Sequence, residues 1–316
     1  MTRNSWRVWM LFGIIVVAAV LPLVTGVGGT TTLLEQVFAY GIFAMSYDLL
    51  LGYTGIISFG HVMFFGTGAY ATAIFLVQGK GSTSSLLIGV LVALALSVVL
   101  SLIVAFLSLR IREAYFAMIT LAVGQTFYVL SGSQMLQPLT NANDGMTVPI
   151  PGWLSNPWIL YYFSLLMLIV IAYFLRRFVG SPVGMALKGV RDNEQRAVFL
   201  GHPVVKYKTL SFVISGLVAT LAGSLFALVE MFVSVQVYDV SVSLNVLLMT
   251  IIGGTGTLYG GVIGAFVILA VQNEFANLAG SYPIFTNNQI IFGLLYIAIV
   301  LFLPQGVLGS LRRWRG

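Results

Sequence analysis

Cysteine is absent from the 316 residues, which excludes disulfides, thiolate chemistry and cysteine-based metal sites. Charge is nearly as scarce. Asp, Glu, Lys and Arg make up 8% of the chain, against about a quarter of an ordinary soluble domain. Histidine occurs only at His61 and His202, and there is no HExxH helix, nucleophile elbow or cluster of carboxylates to hold a metal. A phosphate-cradling GxxxxGK[ST] loop is also missing; the nearest fragment, Gly79 to Ser82, lacks the upstream glycine. These absences exclude the common enzyme classes and ATP hydrolysis by this chain. What the chain has is apolar surface: 59% of its residues are hydrophobic. So few charges cannot solubilise so much of it in water, and lipid is the solvent that fits. The formal net charge of +6 does not indicate nucleic acid, because the basic residues sit between apolar runs as they do in oriented membrane proteins.

Apolar stretches of spanning length lie near 8–27, 33–51, 85–109, 114–131, 158–175, 208–230 and 287–303, with shorter or glycine-interrupted ones near 58–78, 243–252 and 261–279. The first follows Arg3 and Arg7 and is read as a span, being long for a secretory signal. The expectation is an all-α polytopic membrane protein, a single transmembrane domain over 1–316 with about ten transmembrane or half-membrane helices. The pairs Arg3/Arg7 and Arg110/Arg112, the stretch from Arg176 to Lys208, and the trio Arg312, Arg313 and Arg315 are separated by even numbers of elements. One orientation therefore puts all of them, and both termini, on the cytoplasmic side. Lys80 falls outside, as does the turn-rich segment 132–157, the expected periplasmic loop.

The inner segment 176–208 carries seven basic and two acidic residues. Pro182 can open a helix there, Met185, Leu187 and Val190 recur behind it, and Ala197 to Leu200 form an apolar patch closed by Gly201 and Pro203. One or two short helices at the membrane face, offering an apolar knob ringed by charge, would suit a soluble partner. A loop that merely fixes orientation is the plainer alternative.

Two glycine-rich breaks interrupt apolar segments, GYTGIISFG at 52–60 and GGTGTLYGG at 253–261, with Gly, Thr, Gly and Gly in common at an offset of 201. Broken membrane helices expose backbone groups that must face protein or a wet cavity, so both breaks are candidates to line a pathway; close helix packing is the other role glycine could have. Tyr47, Asp48, Tyr53, Thr54, Ser58, His61, Thr255, Thr257 and Tyr259 are the polar side chains beside them. Asp48 reads as a structural hydrogen-bond partner before a solute contact, and His61 is open between the two. The elements leading into the two breaks run the same way across the membrane, which argues against an inverted repeat.

The strings from Tyr47 to Ala73, Ser181 to Leu228, Ile251 to Ala265 and Leu301 to Gly309 resemble, in order, the permease subunits of branched-chain amino acid ABC importers, of the LivM type. The resemblance implies a permease subunit, not an enzyme, in the bacterial inner membrane. Its partners would be a second, LivH-like permease, two cytoplasmic ATPases and a periplasmic solute-binding protein. It implies no cofactor on this chain, ATP and magnesium being held by the partner subunits. Gly184, Ala186, Arg191, Glu194, Ala197, Phe199, Leu200 and Gly201 then fall in the region that couples to an ATPase. Phe199, His202 and the stretch Asn141 to Gly145 depart from the family pattern. A branched-chain or related amino acid is the expected solute, with urea, short amides or aromatic acids as alternatives. An ion-coupled secondary transporter or a passive channel would need no docking helix.

Overall fold

The computed structural model describes residues 20–22, 26, 28–108 and 113–279, together with Gly293 and Gly306. The spans expected near 8–27 and 287–303, the arginines at 3, 7, 110, 112, 312, 313 and 315, and most of the string from Leu301 to Gly309 lie outside the described residues.

Helix α1 (Gly29–Thr54) turns back through a non-helical break into α2 (Val62–Gln78), and α3 (Thr83–Ser108) follows a tight turn. After α4 (Glu113–Ser131) comes a short helix α5 (Gln137–Thr140), a 3-10 turn at Ala142–Asp144 and strand β1 (Met146–Thr147). Helix α6 (Pro157–Val179) leads to two short helices, α7 (Pro182–Asp192) and α8 (Glu194–Phe199), and then to α9 (Val204–Glu230). Strand β2 (Phe232–Val233), a 3-10 turn at Val235–Tyr238, α10 (Val240–Gly253) and α11 (Tyr259–Ala279) complete the described chain. The expected spans over 33–279 are all helices, and the inner segment expected to offer a docking surface forms a pair of short helices. The segment 132–157 has more structure than its turn-rich sequence announces. Its strand pairs antiparallel with β2, Met146 opposite Val233 and Thr147 opposite Phe232, and Trp153 Nε1 donates to Thr83 Oγ1 at 3.1 Å.

Four described helices, α3, α6, α9 and α11, are long and apolar enough to cross a bilayer. They do so in different surroundings: 72% of the apolar window of α9 is buried, against 28% of that of α3. The bare face of α3 carries Leu87, Leu91, Leu102 and Phe106, a stripe that water would not tolerate and lipid does. Helix α1, 26 residues and therefore about 39 Å long, is enclosed by α6, α7, α9, α10 and α11, with Phe65 of α2 stacked on its Phe43. Protein covers most of its far half, so it can carry Asp48 where a lipid-facing helix could not.

Small residues bring the inner helices together. A Cβ on Gly223 of α9 would run into the Phe65 carbonyl of α2, and one on Gly68 into the Thr220 carbonyl. The close approach lets hydroxyls reach across. Thr220 Oγ1 donates to the Phe64 carbonyl at 3.2 Å, Ser224 Oγ to the Gly68 carbonyl at 3.2 Å, and Thr72 Oγ1 to Ser224 Oγ at 2.9 Å. Without a hydrophobic drive between helices in lipid, such packing and bonding supply the association. Around them Phe43, Phe64, Phe65 and Phe212 are fully buried.

Contacts also fix helix directions. Gly261 lies on Ala44 and Gly256 on Gly52, so α11 runs antiparallel to α1. Gly253 meets Gly260 and Gly264 meets Met249, so α10 is antiparallel to α11 and parallel to α1. The helices leading into the two breaks thus point the same way, as the charge pattern requires.

Candidate functional site

The two breaks, 201 residues apart in sequence, touch in the fold. Helix α1 ends when Gly55 adopts a left-handed conformation, φ 78°, which a side chain rarely takes. The other break turns on Gly254 and Gly256, φ 110° and 74°. Asp48, fully buried on the last turns of α1, reaches across: one carboxylate oxygen accepts from the Gly256 amide at 2.6 Å, the other from the Leu258 amide at 2.8 Å. Tyr53 Oη donates to the Gly256 carbonyl at 2.9 Å. Amides at a broken helix need acceptors where water is excluded, and α1 supplies them.

The other side chains singled out in the sequence divide into committed and uncommitted groups. Thr54 Oγ1 lies 3.0 Å from the Leu49 carbonyl and 2.8 Å from Ser211 Oγ. Thr257 Oγ1 donates to the Gly254 carbonyl at 2.7 Å and accepts from the Gly260 amide at 3.1 Å, closing its own turn. Thr255 is exposed and Tyr259 half-buried. Tyr47 Oη, Ser58 Oγ and His61 Nδ1, by contrast, are buried without a hydrogen-bond partner among the described residues. Such orphans are rare enough to require a reason.

His61 begins α2 and is fully buried, stacked on Phe43 at 5.6 Å between centroids, with Tyr47 and Phe64 edge-on at 5.5 Å. Its Nε2 faces two serine hydroxyls, Ser46 Oγ at 3.0 Å and Ser215 Oγ at 3.3 Å. Ser46 already gives its proton to the Phe43 carbonyl, and Ser215 gives its own to the Ser46 carbonyl. With their protons placed on these carbonyls, both hydroxyls turn lone pairs to Nε2, an arrangement that suits the imidazole tautomer with its hydrogen there. Ser46, Ser211 and Ser215 are partners that the sequence reading did not single out. The signal for the last two was the four-residue spacing of hydroxyls along α9 at Ser211, Ser215 and, one position on, Thr220 and Ser224.

The elbow formed by α7 and α8 lies at this same end of the bundle. Ser181 caps α7, its Oγ accepting from the Gly184 amide at 3.3 Å, with Pro182 next. Asn193 breaks the helix and caps α8, its Oδ1 accepting from the Arg196 amide at 2.8 Å. Val190, Ala197 and Val204 pack together inside the elbow, Gly184 sits tight against the Val179 backbone, and Gly201, φ 81°, turns the chain into α9. Glu194 pairs at 2.8 Å with Lys208, whose side chain is 9% exposed. Arg191 faces the bundle: Nη1 donates to the Gly52 carbonyl, and Lys188 Nζ lies 5.2 Å from the centre of the Tyr53 ring. Outward the elbow is apolar, with Phe199 89% and Leu200 71% exposed. Ala186 and Ala197 line a groove of about 400 Å³ between the two short helices, together with Met185, Asp192, Arg196 and His202. No group of three or more potential metal ligands occurs among the described residues.

This arrangement joins a solvent-side elbow to a pair of broken helices. Residues 29–303 match the family described as branched-chain amino acid transport system / permease component. The chain is 26% identical to the high-affinity branched-chain amino acid transport system permease protein LivM of Salmonella typhimurium over an alignment of 331 residues, covering 96% of this chain and 75% of that protein. The Escherichia coli protein of the same description matches to the same extent. The fructose import permease protein FruF of Bifidobacterium longum is 25% identical over 264 residues, 79% of this chain and 71% of that one. No solved structure matches. With most of its length matched and its apolar helices built to sit in lipid, this multi-pass membrane chain belongs to the branched-chain amino acid transport system permease family, of the LivM type.

Proposed function

We propose that the chain is a transmembrane subunit of an ATP-driven importer in the bacterial inner membrane, with both termini cytoplasmic, passing a branched-chain or related amino acid delivered by a periplasmic binding protein. It works beside a second, LivH-like permease and two cytoplasmic ATPases. It binds no cofactor; ATP and magnesium belong to the ATPases. The observation that carries this reading is the α7–α8 elbow, whose apolar tip at Phe199 and Leu200 stands in solvent. A channel or an ion-coupled carrier has no use for such a tip, whereas a soluble motor needs one to grip. Glu194, bound to Lys208, ties the gripped element to α9.

Among the buried pathway candidates, Tyr47, Ser58 and His61 each keep a polar atom without a partner among the described residues, available to a solute. Asp48, Tyr53, Thr54 and Thr257 are occupied with backbone and neighbours. A sugar is the second reading for the cargo, supported by the similarity to a fructose import permease.

The test is to express the chain with its genomic neighbours, purify the assembly in detergent, and measure ATP hydrolysis with and without loaded binding protein. Co-purifying ATPases and solute-stimulated hydrolysis are expected, and the stimulating solute identifies the cargo. Phe199→Asp or Leu200→Asp should release the ATPases without lowering the melting temperature, since both residues are exposed. A chain that purifies alone and transports on an ion gradient would sink the proposal.

A further inference from the structure

The end of α1 leaves its last carbonyls without helical partners, as every helix does. The Ile56 amide, which would have continued the ladder to Gly52, turns back to the Leu50 carbonyl at 3.1 Å. The freed Gly52 carbonyl is taken by Arg191, a cation at the negative end of the helix. Arg191 belongs to the elbow, not to α1 or its break, and Lys188, one turn earlier on the same face of α7, lies over Tyr53. Both cations therefore approach the end of α1 while remaining partly open to solvent themselves.

The second break is held in the same place. A Cβ on Gly256 would stand 3.3 Å from Arg191 Nη1, and one on Gly55 would stand 3.2 Å from Arg191 Cγ. Gly256 is itself fastened to α1 by Asp48 and Tyr53. An unbroken set of bonds thus runs from α7 through Arg191 to the end of α1, and from there through Asp48 and Tyr53 to the turn between α10 and α11. The exposed apolar residues of the elbow, Met185, Val198, Phe199 and Leu200, are a separate set.

We propose that Arg191 is a positioning residue that makes the elbow and the two helix breaks move as one body, rather than a contact for the ATPase. This rests on the proposed importer function. Its physical basis is that a charge-assisted bond to a leftover carbonyl is strong and directional, whereas the breaks on either side have few helical hydrogen bonds to resist displacement. Movement imposed on Phe199 and Leu200 then reaches both breaks together, and removing Arg191 leaves the grip intact and the transmission slack.

The experiment uses the complete assembly in lipid nanodiscs and proteoliposomes. Arg191→Ala is expected to retain the ATPases at the stoichiometry of the parent and to hydrolyse ATP within twofold of it, while solute moved per ATP falls at least tenfold. Arg191→Lys, which keeps the charge but not the forked donors, should recover part of that ratio. Because the chain has no cysteine, spin labels at Thr255→Cys and Gln195→Cys, both at exposed positions and the latter outside the apolar tip, report the distance between break and elbow directly. That distance should stay narrow through the nucleotide cycle in the parent and broaden in Arg191→Ala. An unchanged transport-to-ATP ratio, a distance that stays narrow, or loss of the ATPases from Arg191→Ala would each overturn the proposal. Absence of ATPases from the unsubstituted assembly would instead overturn the importer reading.

Discussion

The two glycine breaks share four residues at equal spacing and end in different environments. In the first, Thr54 is 3% exposed and bonded to Leu49 and Ser211. In the second, the equivalent Thr255 is exposed. At the position before the first break, Asp48 carries two carboxylate oxygens; at the equivalent position before the second stands Met249, buried and apolar. The first break is thus the donor of polar groups and the second their recipient, since the amides of Gly256 and Leu258 are satisfied from α1. A shared motif fixes the turn, then, and its neighbours fix the role.

The comparison is broken most severely at Asp48. Asp48→Ala leaves the Gly256 and Leu258 amides unpaired in a buried site, and at about 1–3 kcal/mol for each stranded donor the loss should total about 2–6 kcal/mol. It should appear as a clear drop in melting temperature in detergent, with Asp48→Asn intermediate because one oxygen remains. Melting within a degree of the parent would show that the second break satisfies itself. Next in size is the threonine pair. Thr54→Val forfeits bonds to Leu49 and Ser211 and should cost about 1–2 kcal/mol, whereas Thr255→Val, at an exposed position, should stay within about 0.5 kcal/mol of the parent. Equal effects would erase the asymmetry. The mildest of the destabilising changes is Tyr53→Phe, which removes one bond to the Gly256 carbonyl and should cost about 0.5–1.5 kcal/mol. It sharpens the comparison by showing how much of the link between the breaks Asp48 carries without help.

Much of the architecture was legible because lipid imposes simple rules. Length and hydropathy located α3, α6 and α9 to within a few residues, and the glycine patterns marked where α1 and α10 stop. Pro182, Gly201 and Pro203 announced the elbow by where a helix can open and must close, while the caps at Ser181 and Asn193 emerged only in the fold. The site was legible in part. Asp48, Tyr53 and Thr257 were visible as polar groups beside the breaks, but their partners are backbone amides and carbonyls, which look alike at every position in a sequence. Arg191 illustrates the limit. Family resemblance groups it with Phe199 and Leu200, yet its guanidinium, though the residue is exposed, is bonded to the Gly52 carbonyl, whereas their side chains stand in solvent. Ser46 and Ser215 went unnoticed because isolated serines in apolar helices ordinarily bond to their own helix. The strand pairing between 146–147 and 232–233 was invisible for a different reason: two residues carry no periodicity.

By itself the sequence determined that this chain is helical and lives in lipid, that its charged elbow lies apart from its apolar helices, and that two of those helices break at glycine. Each of these follows from local composition and the absence of water in a bilayer. Only the tertiary structure decided that the breaks meet each other, that Asp48 serves the distant one, and that Arg191 fastens the elbow to both. Those facts depend on which faces of the helices are brought together, and the packing of Gly52 against Gly256 and of Gly261 against the Ala44 backbone sets that across some two hundred residues of chain.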